Sequence, residues 1–246
     1  MTNYIAEIGL NHLGDEDRAM KLLKGAVEAG ATSVTYQIQA PDYYDGSRVF
    51  RVALPTSFYE KAADTAHAMG AQFGLAVVSA KIIKDHNFDN VDFWKILSMD
   101  FRDDDLIGVA VDTGKYIYIS TGVADIEDIK NQADKYKNAN FIHTTLSEKV
   151  EDMNISAIRT MKNAIKNDIS FGLHSSDLRV ALLAMTFRPH SLFFYLKTNE
   201  ILDYSDDAHA ITVESLADRI SDWDFVNTVL GSGEKETKDI PDWVYE

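Results

Sequence analysis

The amino-acid sequence predicts an α/β protein, a (β/α)8 TIM barrel formed as one domain over residues 1–231. Three observations predict it. Short β-branched or aromatic runs alternate with helical stretches eight times along the chain. Most connections between them are short. The first strand–helix turn reads Asn11-His12-Leu13-Gly14, which is not the glycine-rich turn expected of the rival fold, a doubly wound open sheet.

The strand runs fall at 3–10 (NYIAEIGL), 32–39 (TSVTYQIQ), 72–78 (QFGLAVV), 92–98 (DFWKILS), 116–121 (YIYIST), 140–145 (NFIHTT), 168–174 (DISFGLH) and 191–198 (SLFFYLKT). The stretches between them carry helical spacing. Ala19, Leu22, Leu23 and Ala26 share one face, and Gly30 is placed to end that helix. A helix near 125–138 opens with acidic residues, which favour a helix N-terminus. Another starts from 154, with Asn154 as its N-cap, and a last one covers 213–230 and stops at Gly231. One connection is long: residues 40–54, after the second strand, on the face where barrel active sites are built. Residues 232–246 form a polar tail with a late Trp243 and Tyr245.

Composition narrows the function classes. The 24 basic and 39 acidic residues give a net charge of −15, which repels nucleic-acid backbones and anionic lipid. Any anion site must therefore be built locally, from a few lysines or helix N-termini. No run approaches the roughly 20 apolar residues of a membrane span, and no secretory signal opens the chain. The absence of cysteine removes disulfides, thiolate metal sites and cysteine nucleophiles, and is in keeping with a cytoplasmic location.

Polar side chains at the ends of barrel strands converge on one site. In chain order they are Glu7, Asn11 and His12; Gln37 and Gln39; Lys95 and Ser98, with Asp100 just beyond; Ser120 and Thr121; His143 and Thr144; His174 and Ser175; Lys197 and Asn199. Strand alternation turns about half of such residues toward the helices. Ser120 and Thr121 are equally placed to cap the next helix, and a lone histidine such as His143 is more often a hydrogen-bonded structural residue than a ligand. Lys95, in FWKILS, and Lys197, in FFYLKTN, are flanked by large apolar residues and call for anionic partners. Glu7, inside an apolar run, calls for a cationic one. Two lysines facing Glu7 form either an anion site or an internal carboxylate–ammonium network.

Several segments resemble the N-acetylneuraminate (sialic acid) synthase family. IAEIGLNHLGD followed by AMKLLKGAVEAGATSV resembles that family's A-E-I-G-x-N-H-N-G-D opening and the stretch after it. FWKILSMDF is similar to its K-I-x-S-x-D segment, YIYISTGVADIEDI to its I-x-S-T-G segment, and FIHTTLSEKVEDMNISAIRTMK to its L-H-C and E-D-x-N-L-x-A-I region. DDAHAITVESLADRI and LGSGEK resemble its D-H-A-x-S-L and L-G-x-G-x-K segments. The resemblance runs in order from about residue 4 to residue 235.

The resemblance implies a barrel enzyme that condenses phosphoenolpyruvate with an amino-sugar or related aldehyde, giving a nonulosonic (2-keto-3-deoxy) sugar acid. A divalent metal, manganese or magnesium, holds the aldehyde in that family, and its members pair as homodimers. On matching positions Glu7 and Lys95 are expected catalytic residues, with Lys197 as a third, Lys95, Ser98 and Ser120 contact phosphoenolpyruvate, and Asn11 and His12 belong to the first-strand motif. Gln37, His143 and Ser175 complete the expected substrate-binding set, and His174 is the expected metal ligand. The departures are specific. The lysine of K-F-Q is Thr35, the histidine of G-x-S-D-H-T is shifted to His174, and the E-K-H-F segment becomes Tyr195-Leu196-Lys197-Thr198. Lys197 is thus expected to put a fixed cation where the metal sat, opposite Glu7. The antifreeze-like domain that follows the family's barrel has no counterpart in these residues. Two other classes stay open at this point: a barrel aldolase or lyase using a site lysine, and a non-catalytic sugar-acid-binding barrel.

Overall fold

In the computed structural model, which describes residues 2–39, 53–85 and 88–235, the eight expected strands close into one parallel barrel. They are β1 (Asn3–Gly9), β2 (Ser33–Ile38), β3 (Gln72–Val77), β4 (Phe93–Ile96), β5 (Tyr116–Ser120), β6 (Asn140–His143), β7 (Ile169–Gly172) and β8 (Ser191–Lys197). Each pairs with the next, and β1 pairs with β8 with Glu7 opposite Tyr195, which closes the ring. A short β9 (Ile211–Thr212) adds to β8. The helices are α1 (Glu16–Glu28), α2 (Thr56–Ala68), α3 (Ala80–Asp85), α4 (Asp104–Asp112), α5 (Ile126–Lys135), α6 (Ala157–Ala164), α7 (Arg179–Met185) and α8 (Leu216–Leu230). Residues 40–52 of the expected long connection and 236–246 of the tail lie outside the described residues.

Local chemistry explains the helix starts, with one correction. Asp15 caps α1 by accepting from the Arg18 N–H, and Asp125 and Asp128 form a reciprocal capping box on α5. Asn154 does not cap α6. It lies three residues upstream at φ +39°, and its main-chain carbonyl, not its side chain, accepts from the Ala157 N–H. The final helix also starts later than expected, because Val213–Ser215 form a 3-10 turn before α8.

Two cores result from strand alternation. The larger lies between strands and helices and contains the outward residues, such as Ile8, Tyr36, Trp94, Phe141 and Phe194. The smaller fills the barrel axis with Ile5, Phe93, Tyr118, Ile142 and Phe193. Gly74 is required here: a Cβ on it would sit 2.1 Å from the Phe93 ring. Above this plug, the same inward parity aims Glu7, Gln37, Lys95, Ser120, Thr144, His174 and Tyr195 at the C-terminal mouth.

Candidate active site

Those seven residues, joined by Ser98, line a pocket of about 170 Å³ whose remaining walls are mainly apolar, including Met99, Leu146, Leu173 and Phe193. At its centre the Lys95 Nζ lies 2.5 Å from Glu7 Oε1, and both side chains are about 95% buried. The Lys95 ammonium also lies 5.5 Å from the Phe193 ring centroid and 5.9 Å from that of Tyr195. Each buried charge is tolerable because the other is there, so removing either leaves an uncompensated ion. Burial, and then the charge of Glu7, push the Tyr195 phenol well above its ordinary pKa, so it is a neutral hydroxyl.

Ser98 and Ser120 stand at the ends of adjacent strands. The Gly122 N–H donates to Ser98 Oγ at 3.0 Å, and a Cβ on Gly122 would fall 2.8 Å from that oxygen. The close approach therefore needs glycine. It ties the K-I-x-S segment to the S-T-G segment and leaves the Ser98 proton for another acceptor. Neither Ser120 nor Thr121 caps α5: Asp125 does, while Thr121 Oγ1 donates to the Ile142 carbonyl.

Four expected binding residues have other places. Asn11 is fully buried away from the lining; its amide donates to the Leu196 carbonyl and its oxygen accepts from the Asp206 N–H, joining β1 to the connection after β8. His12 is also fully buried, with Nδ1 accepting from the Gly14 N–H, and burial holds its pKa near 4. His143 has the outward parity of β6, and its Nε2 meets the Met153 carbonyl at 3.1 Å. Ser175 Oγ accepts from the Asp177 N–H in the turn before α7.

Lys197 is the clearest correction. Although its parity is inward, it lies past the ring, and its Nζ donates to the Asp207 carboxylate at 2.7 Å and to the Asp207 carbonyl at 3.0 Å. It does not face Glu7; of the two lysines, Lys95 does. Sequence reasoning also missed His209. Its ring packs edge-on against Tyr195 and tilted against His174, each at 5.0 Å between centroids. Neither of its nitrogens has a hydrogen-bond partner, and Glu148 and Asp206 carboxylates stand 3.8 and 4.0 Å away. The segment similar to D-H-A-x-S-L contains it, but it lies past β8 and so was not among the strand-end candidates. Tyr195, by contrast, was available from the period-2 pattern of β8.

Whether this donor set fits a divalent metal is a question of geometry. His174 is held near pKa 4 by burial and so is neutral, as a ligand must be. Yet among the described residues no three His, Asp or Glu side chains surround a common point, and the lining carboxylate, Glu7, is engaged by Lys95. The set does not fit a resident metal.

Comparison with known proteins agrees with this architecture. An uncharacterised protein of Methanocaldococcus jannaschii is 26% identical over 95% of this chain and 73% of its own length. A pseudaminic acid synthase of Campylobacter jejuni is 24% identical over 76% of this chain. The chain spans 64% of that synthase's length. The solved N-acetylneuraminic acid (sialic acid) synthetase of Leptospira borgpetersenii superposes with a TM-score of 0.89 at 22% identity, covering 96% of this chain and 87% of that one; this is likeness of fold. The model of the NeuB family matches residues 20–235. A match over that much of the chain, on a barrel of this build, means that the protein belongs to the NeuB family.

Proposed function

We propose that this chain is a sugar-acid synthase whose C-terminal pocket condenses phosphoenolpyruvate with a sugar aldehyde. The observation that supports it is the meeting of Glu7, Lys95, Ser98 and Ser120, from three separate motifs, in one pocket at the barrel mouth. In this reading C3 of the enol bonds to the aldehyde carbon, water adds at C2, and phosphate departs. The Lys95 ammonium has three donors; Glu7 takes one, and the others serve a donor carboxylate or phosphate. Ser98 and Ser120 supply neutral hydrogen bonds beside it, and Glu7 accepts from a sugar hydroxyl. Electrostatic preorganisation is the main catalytic contribution. No step is assigned to a metal, since the donor set does not fit one.

The test is phosphate release from phosphoenolpyruvate with a panel of hexosamines, run with manganese and with chelator. Hexosamine-dependent release that survives chelation supports the reading. No release with any sugar, in either condition, sinks it. The lysine-nucleophile alternative gains nothing from the geometry, because an ammonium held 2.5 Å from a carboxylate is not a free amine.

A further inference from the structure

A second cleft opens at the opposite, N-terminal end of the barrel. It has a volume of about 710 Å³, within the range of small-ligand sites. Its walls are the connections that lead into β5, β6 and β7. Four lysines line it, Lys115, Lys135, Lys137 and Lys166, against one aspartate, Asp168. On a chain of net charge −15 this is a local reversal of sign, and such a concave patch concentrates small anions that the rest of the surface repels.

The lysines differ in how firmly they are held. Lys115 donates to the Asp89 and Val91 carbonyls and is part of the wall. Lys135 reaches Asp104 and Lys137 reaches Asp134 in exposed pairs, which hold their partners weakly. Lys166 makes no hydrogen bond or ion pair among the described residues. Helix ends alone do not account for the cluster. Lys135 sits in the last turn of α5, where a cation offsets the helix dipole, but the other three lie in connecting segments.

The wall itself is fixed. The Asn167 side-chain amide donates to the carbonyls of Tyr136, Lys137 and Ala139 at 2.9–3.1 Å, pinning the turn that carries Lys137. Tyr116, 38% exposed, presents a ring braced by His190, stacked at 5.9 Å.

We propose that this cleft is a binding site for a small phosphate-bearing anion, separate from the C-terminal pocket. The lysines supply the charge, and Tyr116 and Tyr136 supply ring surface for whatever the phosphate is attached to. The experiment is calorimetric titration of the full chain with inorganic pyrophosphate, a mononucleotide and a hexosamine phosphate, with the unphosphorylated hexosamine as control. The expected result is one site that weakens as salt rises and loosens at least about tenfold in Lys137→Glu/Lys166→Glu. The graded variant Lys137→Gln/Lys166→Gln loosens it less. A nucleotide that binds more tightly than pyrophosphate assigns the rings to a base, and a tighter hexosamine phosphate assigns them to a sugar. Binding that both double variants leave unchanged, or no binding of any phosphate compound at millimolar concentration, overturns the proposal. Phosphoenolpyruvate turnover by the double variants stays at the level of the unchanged chain, so this failure and that of the proposed reaction are read separately.

Discussion

The two mouths of the barrel use charge in opposite ways. At the C-terminal mouth one lysine and one glutamate face each other in a small, mostly apolar pocket, both about 95% buried. At the N-terminal mouth four lysines and one aspartate line a cleft roughly four times larger, and their pairs are exposed. Buried charge must be compensated within the protein before any ligand arrives, so the C-terminal pocket comes with its counter-ion built in. Exposed charge is paired loosely in water and stays available. The pocket is therefore poised for discrimination and the cleft for attraction.

The largest effect expected breaks the pocket's half of that contrast. Lys95→Met strands the Glu7 carboxylate and should cost about 3–5 kcal/mol of stability, together with all activity. The double change Lys95→Met/Glu7→Gln should restore most of that stability and none of the activity. Urea denaturation of the four forms gives the coupling. If the single change were as stable as the unchanged chain, the pair would not be a buried unit.

Next comes pH. His12 titrates near 4 in the fold against about 6.5 in an unfolded chain. The folded site disfavours the charged ring, so its contribution is complete above pH 6.5. It falls away as pH drops toward 4, where the unfolded chain binds the proton first. The loss attributable to this ring is at most about 3 kcal/mol over that window. The slope of unfolding free energy against pH should be shallower in His12→Gln. An equal slope would mean that other groups carry it. No comparable dependence is expected from exposed pairs such as Lys137 with Asp134.

A smaller effect sharpens the boundary between the two mouths. Gly74→Ala places a methyl against the Phe93 ring in the axial plug, and overpacking of this kind costs about 1–3 kcal/mol. Calorimetric melting should show it, and an unchanged melting temperature would mean that the ring finds room elsewhere in the plug. The smallest effect belongs to Lys197→Met. Its partner Asp207 is more than half exposed, so stability should change by less than about 1 kcal/mol. Turnover should stay within about threefold of the unchanged chain, and a much larger loss would return Lys197 to the site.

Most of the barrel was legible because its strands are hydrophobic runs of the right length separated by helical spacing. The ends were not. The runs at 92–98, 140–145 and 168–174 shorten to Phe93–Ile96, Asn140–His143 and Ile169–Gly172. The trimmed residues, Ser98, Thr144 and His174 among them, leave the ladder to enter the mouth. In the site, period-2 parity separates the lining residues Glu7, Gln37, Lys95, Ser120 and His174 from the outward His143. Parity does not account for Lys197, which is inward but lies beyond the ring, or for Asn11 and His12, which follow a left-handed Gly9 at φ +55°.

Residue order alone settled the fold class, the family, and the presence of a carboxylate that needs a cation, because periodicity, motif order and a charge set inside an apolar run are all read along the chain. Tertiary structure decided which of two similar lysines answers Glu7. Lys95 and Glu7 are 88 residues apart in sequence and 2.5 Å apart in space, whereas Lys197 finds Asp207 only ten residues on. It also decided that four lysines from separate connections share one cleft. Coulombic partnership falls with distance and depends on burial, and in a closed barrel both are set by the ring as a whole.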